Sequence, residues 1–181
     1  MAKKRIAIAC QGGGSQCAFV AGALKTLFGR GVQDRFKIVG LSGTSGGALT
    51  AALRALLVKH IDFQALPTLV DAESPTLLLG AGDVLEGSFK IFSSALGEIS
   101  VDAVLASAAI PNLFPAVQID GHAYWDGIFA SNPPVISFLR RPLMGKGKIP
   151  DEIWIIDSPA RRAHCAALSA TIFITQVQLK G

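Results

Sequence analysis

Apolar and polar positions along this chain fall into blocks that switch between a sheet period and a helix period. Arg5 to Gln11 holds the run Ile6-Ala7-Ile8-Ala9-Cys10, a short strand apolar on both sides, as in a sheet covered on both faces. Gly12-Gly13-Gly14 interrupts it. A helix is predicted from about Gln16 to Gly29, with Phe19, Ala23, Leu24 and Leu27 near helical spacing. Phe36 to Leu41 reads as a second strand that runs into Gly43-Thr44-Ser45-Gly46-Gly47. A helix over Ala48 to Lys59 follows, apolar nearly all round and so expected to be buried. This β–loop–α–β–turn–α progression predicts parallel strands.

The second half is less regular. Pro67 and Pro75 break the stretch from Ile61 to Ser74, which has no clear period. Thr76 to Leu79 and Phe89 to Phe92 read as strands around a turn region holding Gly80-Ala81-Gly82 and Glu86-Gly87. Ser100 is placed as the N-cap of a helix over Val101 to Ala109, stopped by Pro111. Phe114 to Ile119 and His122 to Trp125, with Gly121 between them, suggest a hairpin. Glu152 to Asp157 reads as a buried strand, and Thr171 to Leu179 suits strand or helix.

A length of 181 residues suits one domain, 1–181, with a sizeable core. Half of the residues are hydrophobic and 19 are glycine, which favours a buried parallel sheet with tight connections over a helical bundle. The net charge of +4 is modest, and its local clusters (Lys3-Lys4-Arg5, Arg140-Arg141) read as solvated faces. There is no aromatic-interleaved basic stripe, zinc spacing or helix-turn-helix pattern, so nucleic acid is not an expected partner. Cys10, Cys17 and Cys165 form neither a disulfide framework nor a metal spacing, and they fit a reducing cytosol. The opening Lys3-Lys4-Arg5 resembles a signal peptide, but the apolar run after it is too short and is broken by glycine. No segment approaches the roughly 20 apolar residues of a membrane span, so the expected location is cytoplasmic and any membrane contact peripheral.

The chemistry is concentrated at Gly43-x-Ser45-x-Gly47, between a strand and a helix. A serine on such a sharp turn has its hydroxyl lifted clear of the sheet, and Gly43 and Gly47 are expected there because strand and helix leave no room for Cβ atoms. Acyl transfer through serine needs a base and oxyanion donors as well. Gly12-Gly13-Gly14, directly after the first strand, suits the donors, since consecutive glycines let several backbone N–H groups converge on one anion. The base is open between two readings. Ser45, an aspartate (Asp126 or Asp157) and His164 would satisfy the chain order of a hydrolase triad. His164, however, lies in a polar, poorly patterned stretch, and His122 is expected to face solvent. Asp126 in Trp125-Asp126-Gly127 is the other candidate, although Asp-Gly is equally a common hairpin turn.

Four blocks in order are similar to the patatin-like phospholipase family. They are Gly12-Gly13-Gly14, Gly43-Thr44-Ser45-Gly46-Gly47, Ala106-Ser107-Ala108-Ala109-Ile110-Pro111, and Tyr124-Trp125-Asp126-Gly127 with Asn132-Pro133-Pro134. The resemblance implies an α/β fold in three α/β/α layers with a mainly parallel central sheet. It also implies lipid or phospholipid acyl hydrolysis by a serine–aspartate dyad, with no metal and no cofactor. Carried over by motif, Ser45 is the nucleophile, Asp126 the base, and Gly12, Gly13 and Gly14 the oxyanion hole. Leu113, Phe114, Ile128 and Phe129 flank these motifs as candidates for an acyl groove.

The chain departs from the family where Gln16 and Cys17 replace a basic residue and glycine, and where Ile128 follows Asp126-Gly127. Only 81 positions separate Ser45 from Asp126, fewer than is usual, so about 60–74 and the part after about 162 are expected to be shortened or incompletely represented. The rival functions are a catalytically inactive lipid-binding or regulatory domain of the same fold, and an esterase that depends on His164.

Overall fold

The computed structural model describes residues 3–12, 17–45, 62, 65, 74–129, 133–157 and 173–178. Gly13, Gly14 and Gly47, the helix expected over Ala48 to Lys59, His60, His164 and Cys165 lie outside the described residues, as does most of 61–73. Eight strands form one sheet: β1 Lys4–Cys10, β2 Phe36–Gly43, β3 Thr76–Asp83, β4 Ser88–Ser93, β5 Val117–Ile119, β6 His122–Asp126, β7 Glu152–Asp157 and β8 Phe173–Gln178. Their order is β5-β6-β3-β2-β1-β7-β8, with β4 pairing to β3. The centre is parallel, since β1 pairs in parallel with β2 and β7, and β2 with β3. The margins are antiparallel, including β8 against β7, which resolves the 171–179 ambiguity in favour of strand.

Side chains of β1 alternate between two cores. Ile6 and Ile8 pack with Val20 and Ala23 of helix α1 (Cys17–Gly29), with Val32 of the short helix α2 (Val32–Arg35), and with Ile38 and Ile156. Ala7 and Ala9 face the other way, onto Leu78, Ile91, Phe138, Ile153 and Met144 of helix α4 (Arg141–Met144). Small residues on that face let Phe138 sit close to the strands, and Gly40 extends the same surface: a Cβ there would come within 2.9 Å of the Phe138 ring. Helices therefore cover both faces of a mixed, mainly parallel sheet, as the apolar pattern of the central strands requires. A third core joins Ala81, Phe92 and Tyr124 to Ala103 and Ala106 of helix α3 (Val101–Ala106).

Several boundaries differ from the sequence expectation for physical reasons. Gly80-Ala81-Gly82 does not turn. It continues β3 to Asp83, and the turn falls on residues 84–87, closed by Gly87 at φ 63°. Glycine inside a strand here marks a close approach rather than a bend. Ser100 caps α3 as expected, its Oγ accepting from Ala103 N at 3.1 Å, but the helix stops at Ala106 instead of Ala109. The Asp-Gly hairpin turn is Asp120-Gly121, both at positive φ as a type I′ turn needs, so Asp126-Gly127 does not turn a hairpin. Asp126 ends β6 and Gly127 opens a 3-10 turn.

Candidate active site

The strand registers bring Ser45 and Asp126 together. Leu78 pairs with both Ser42 of β2 and Ser93 of β4, and Ala81 pairs with both Asp126 of β6 and Lys90 of β4. A strand residue has one neighbour on each edge, so β4 fills one edge of β3, while β2 and β6 share the other. β2 ends opposite Leu79 at Gly43, and β6 ends opposite Ala81 at Asp126. The two strand ends meet at Gly80, where the sheet opens into a seam.

Gly80 is crowded on all sides of that seam. A Cβ there would lie 2.8 Å from Phe89 Cζ and 3.0 Å from Thr44 Oγ1, and a Cβ on Gly127 would lie 3.0 Å from the Gly80 carbonyl. Gly12 is tighter still, since its Cβ would stand 1.7 Å from Thr44 O and 2.7 Å from Ser45 Cβ. Only glycine lets the first-strand loop lie directly against the nucleophile turn. Gly43 is less crowded by the residues described around it. A Cβ there would meet only Cys10 among the described residues, at 3.7 and 3.9 Å, which is ordinary contact.

Ser45 has φ 59°, a left-handed conformation that costs a non-glycine residue about 1–2 kcal/mol. Its N–H donates to Ser107 O at 2.8 Å, and the Asp126 N–H donates to Ala109 O at 2.8 Å. One short buried segment after α3 thus holds the backbones of both residues: past the end of the helix, the Ser107 and Ala109 carbonyls face the seam instead of continuing the helical ladder.

The side chains are left open. Asp126 is 3 % exposed, and its Oδ1 accepts from Ile128 N at 3.0 Å. Asp126 Oδ2 and Ser45 Oγ are both buried and complete no hydrogen bond among the described residues. Burial pushes the Asp126 carboxyl above its ordinary pKa, and this outweighs the lowering effect of the nearby Ser45 hydroxyl and the Ile128 N–H. The hydroxyl is near enough to act on the acid, yet the pair is not closed. Long contacts of this kind are common in catalytic sites without substrate. A buried carboxylate with one oxygen unpaired and a raised pKa, beside a buried serine hydroxyl, is equipped to take a proton.

The other expected residues fall variously. Gly12 is buried against Ser45. Of the groove candidates, Leu113 is 70 % exposed, Phe114 and Ile128 are half-buried, and the Phe129 side chain lies outside the described residues. His122 is not simply solvent-facing: its Nδ1 lies 2.7 Å from Asp83 Oδ2. Asp83, Glu86 and His122 offer three ligand atoms within 4.8 Å of one another, but the close Asp83–His122 contact already occupies two of them. A cavity of about 950 Å³ opens at the far end of β1 and β2, lined by Lys3, Lys4, Arg5, Phe28, Lys37 and Asp151, away from Ser45. Thr44, Gly80, Phe89 and the Ser107–Ala109 carbonyls were not singled out as site components from sequence. Thr44 and Ser107–Ala109 lie inside motif blocks without a role given to them, and for Gly80 and Phe89 the glycines of β3 are the visible signal.

No described helix is long and apolar enough to cross a membrane. A search of curated proteins gives no match for the chain. The family model described as patatin-like phospholipase matches residues 86–139, a segment that includes Phe89, Ser107, Ala109 and Asp126 and lies C-terminal to Ser45 and Gly12. The match, together with a mixed sheet that has a parallel centre and flanking helices, is consistent with a patatin-like α/β fold, and within that segment the chain is similar to a family of lipid acyl hydrolases.

Proposed function

We propose that the protein is a serine acyl hydrolase that cleaves fatty-acyl esters of lipids or phospholipids through Ser45 and Asp126. The observation that carries this reading is the strained Ser45, its buried hydroxyl unpaired beside the buried, basic carboxylate of Asp126. Asp126 takes the Ser45 proton as Oγ attacks the acyl carbonyl carbon. The negative charge moves to the carbonyl oxygen, which the backbone of the Gly12–Gly14 loop stabilises. Collapse of the tetrahedral species breaks the ester bond, and the leaving alcohol takes the proton from Asp126. Water then gives a proton to Asp126 and attacks acyl-Ser45, and the fatty acid is released as Ser45 recovers its proton. Gly12 supports the loop's role by lying against Ser45.

The test is intact-mass analysis after incubation with a fluorophosphonate, on wild type, Ser45→Ala and Asp126→Asn, followed by turnover of phospholipid and neutral-ester substrates. One adduct on wild type, absent in Ser45→Ala and slowed in Asp126→Asn, is expected. No adduct and no turnover on the folded wild type would favour the inactive lipid-binding reading. Loss of turnover in His164→Ala with the dyad intact would favour the histidine-dependent esterase.

A further inference from the structure

Phe89 belongs to β4, the strand on the opposite edge of β3 from both Ser45 and Asp126. It is half-buried on the core face built by Ala7, Ala9, Leu78 and Ile91. Its ring is wedged against two glycines of the seam. Cζ lies 2.8 Å from the place a Cβ would take on Gly80, and Cε2 lies 2.8 Å from that place on Gly127. Thr44 Oγ1 approaches the same place over Gly80 to 3.0 Å. One ring therefore sits at Gly80, which the residue before Ser45 also approaches, and touches the residue after Asp126, across a point where no ladder hydrogen bond can join β2 to β6 because they meet end to end. We propose that Phe89 is a positioning residue for the Ser45–Asp126 pair, its ring holding the two strand ends at the distance and angle the pair needs. The glycines at 80 and 127 are the ring's seat, and the ring replaces the missing ladder between the strand ends.

This inference rests on Ser45 and Asp126 being the working pair, so its test includes a readout that needs no catalysis. Amide hydrogen exchange at Ser45 and Asp126, fluorophosphonate labelling rate, and kcat and KM for a short-chain ester are measured on wild type, Phe89→Ala, Phe89→Leu and Ile91→Ala. Ile91 is buried on the same strand and in the same core, and serves as the packing control. Phe89→Ala is expected to slow labelling and kcat about 100-fold with little change in KM, the scale of a misplacement near 1 Å. It should also speed exchange at the Ser45 and Asp126 amides more than at Ile8 or Ile153. Phe89→Leu should recover most of both losses. Ile91→Ala should lower the melting temperature without moving either. Equal effects of Phe89→Ala and Ile91→Ala, or unchanged exchange at the two amides, would overturn the proposal. If Phe89→Ala does not fold, exchange in Phe89→Leu decides. An unlabelled wild type would sink the serine hydrolase reading, and exchange would still decide the role of the ring.

Discussion

The β3–β6 ladder carries a buried aspartate near each end, and the two are treated in opposite ways. Asp83, opposite Tyr124, is 6 % exposed, yet both of its oxygens are engaged. Oδ1 accepts from Leu85 N at 2.9 Å and Glu86 N at 3.1 Å, and Oδ2 meets His122 Nδ1 at 2.7 Å. Burial pushes its pKa up, but the Glu86 and Leu85 N–H groups and the His122 ring prevail and hold it below its ordinary value. Asp126, opposite Ala81, has one oxygen without a partner and a pKa held above its ordinary value. Residue type and burial are the same, so neither marks a functional carboxylate. What differs is whether the fold completes its hydrogen bonds. An aspartate that tethers a turn is fully satisfied, and one that must accept a proton is left wanting.

Exchanging the two acids is the strongest way to break this contrast. Asp126→Asn should lower kcat by about 10⁴-fold, the scale seen when an orienting or basic carboxylate is removed from a serine hydrolase. Asp83→Ala should leave fluorophosphonate labelling of Ser45 within about tenfold of wild type and lower the melting temperature, because it unties the 84–87 turn from β6. Loss of labelling in Asp83→Ala equal to that in Asp126→Asn would end the distinction between a tethering and a reacting aspartate.

Glycine substitutions sharpen the same comparison within the seam. Gly12→Ala would drive a Cβ to 1.7 Å from Thr44 O, so the loop must move off Ser45, and labelling should fall about 10²-fold. Gly43→Ala, which meets only ordinary contact among the described residues, should label within about threefold of wild type. Equal losses for the two would mean that the contact with Cys10 does not decide what Gly43 does for the turn.

These contrasts mark the limit of what the chain discloses before folding. The central strands were legible because Ile6, Ile8, Ile153 and Ile156 are apolar on strands covered on both faces, and that pattern has few alternatives. Ser45 was legible because it stands in Gly43-x-Ser45-x-Gly47 just past an apolar strand, and the residue there does hold a positive φ. Asp126 was undecided from its own surroundings, since Asp-Gly serves hairpins equally well, and the true hairpin is Asp120-Gly121 only six residues earlier. The seam at Gly80 was misread as a turn. Its cause is the shared edge of β3, a long-range register that no local period encodes. Phe89 matters through that register, and Ala109 through a backbone bond to Asp126 that a motif block does not reveal.

A difference in pH dependence should separate the two acids next. For Asp83 the folded-state pKa is depressed, so its stabilising effect is present above the unfolded value near 4 and is lost as pH falls through the lower folded value. For Asp126 the folded-state pKa is raised. The folded state then holds the proton more tightly than the unfolded chain, and stability declines as pH rises from near 4 through the folded value. Activity runs the other way, because only ionised Asp126 can take the Ser45 proton: kcat/KM should rise with pH through an apparent pKa above that of an ordinary aspartate. Thermal melts against pH on wild type and on Asp126→Asn isolate the second effect. The asparagine variant should lose the decline, and above the folded value it should melt higher than wild type. A lower melting temperature for Asp126→Asn across the whole range would mean that the carboxylate stabilises the seam and is not strained by it.

The smallest expected effect concerns the backbone under the nucleophile. Ser45 holds φ 59°, where alanine is strained and glycine is not. Ser45→Ala and Ser45→Gly both remove the hydroxyl, so both should be unlabelled, and the hydroxyl's lost contacts cancel between them. What remains is the left-handed conformation, set against the greater freedom of glycine in the unfolded chain. If strain at the turn prevails, Ser45→Gly should unfold at a higher denaturant midpoint than Ser45→Ala, by about 1 kcal/mol. Equal midpoints would mean that the turn relaxes once the serine is gone, and that the Ser107 carbonyl, not the glycine-rich neighbourhood, holds the nucleophile in its exposed conformation. The strain would then belong with Asp126: an energetic burden kept at the seam for the reaction, while Asp83, at the far end of the same ladder, carries none.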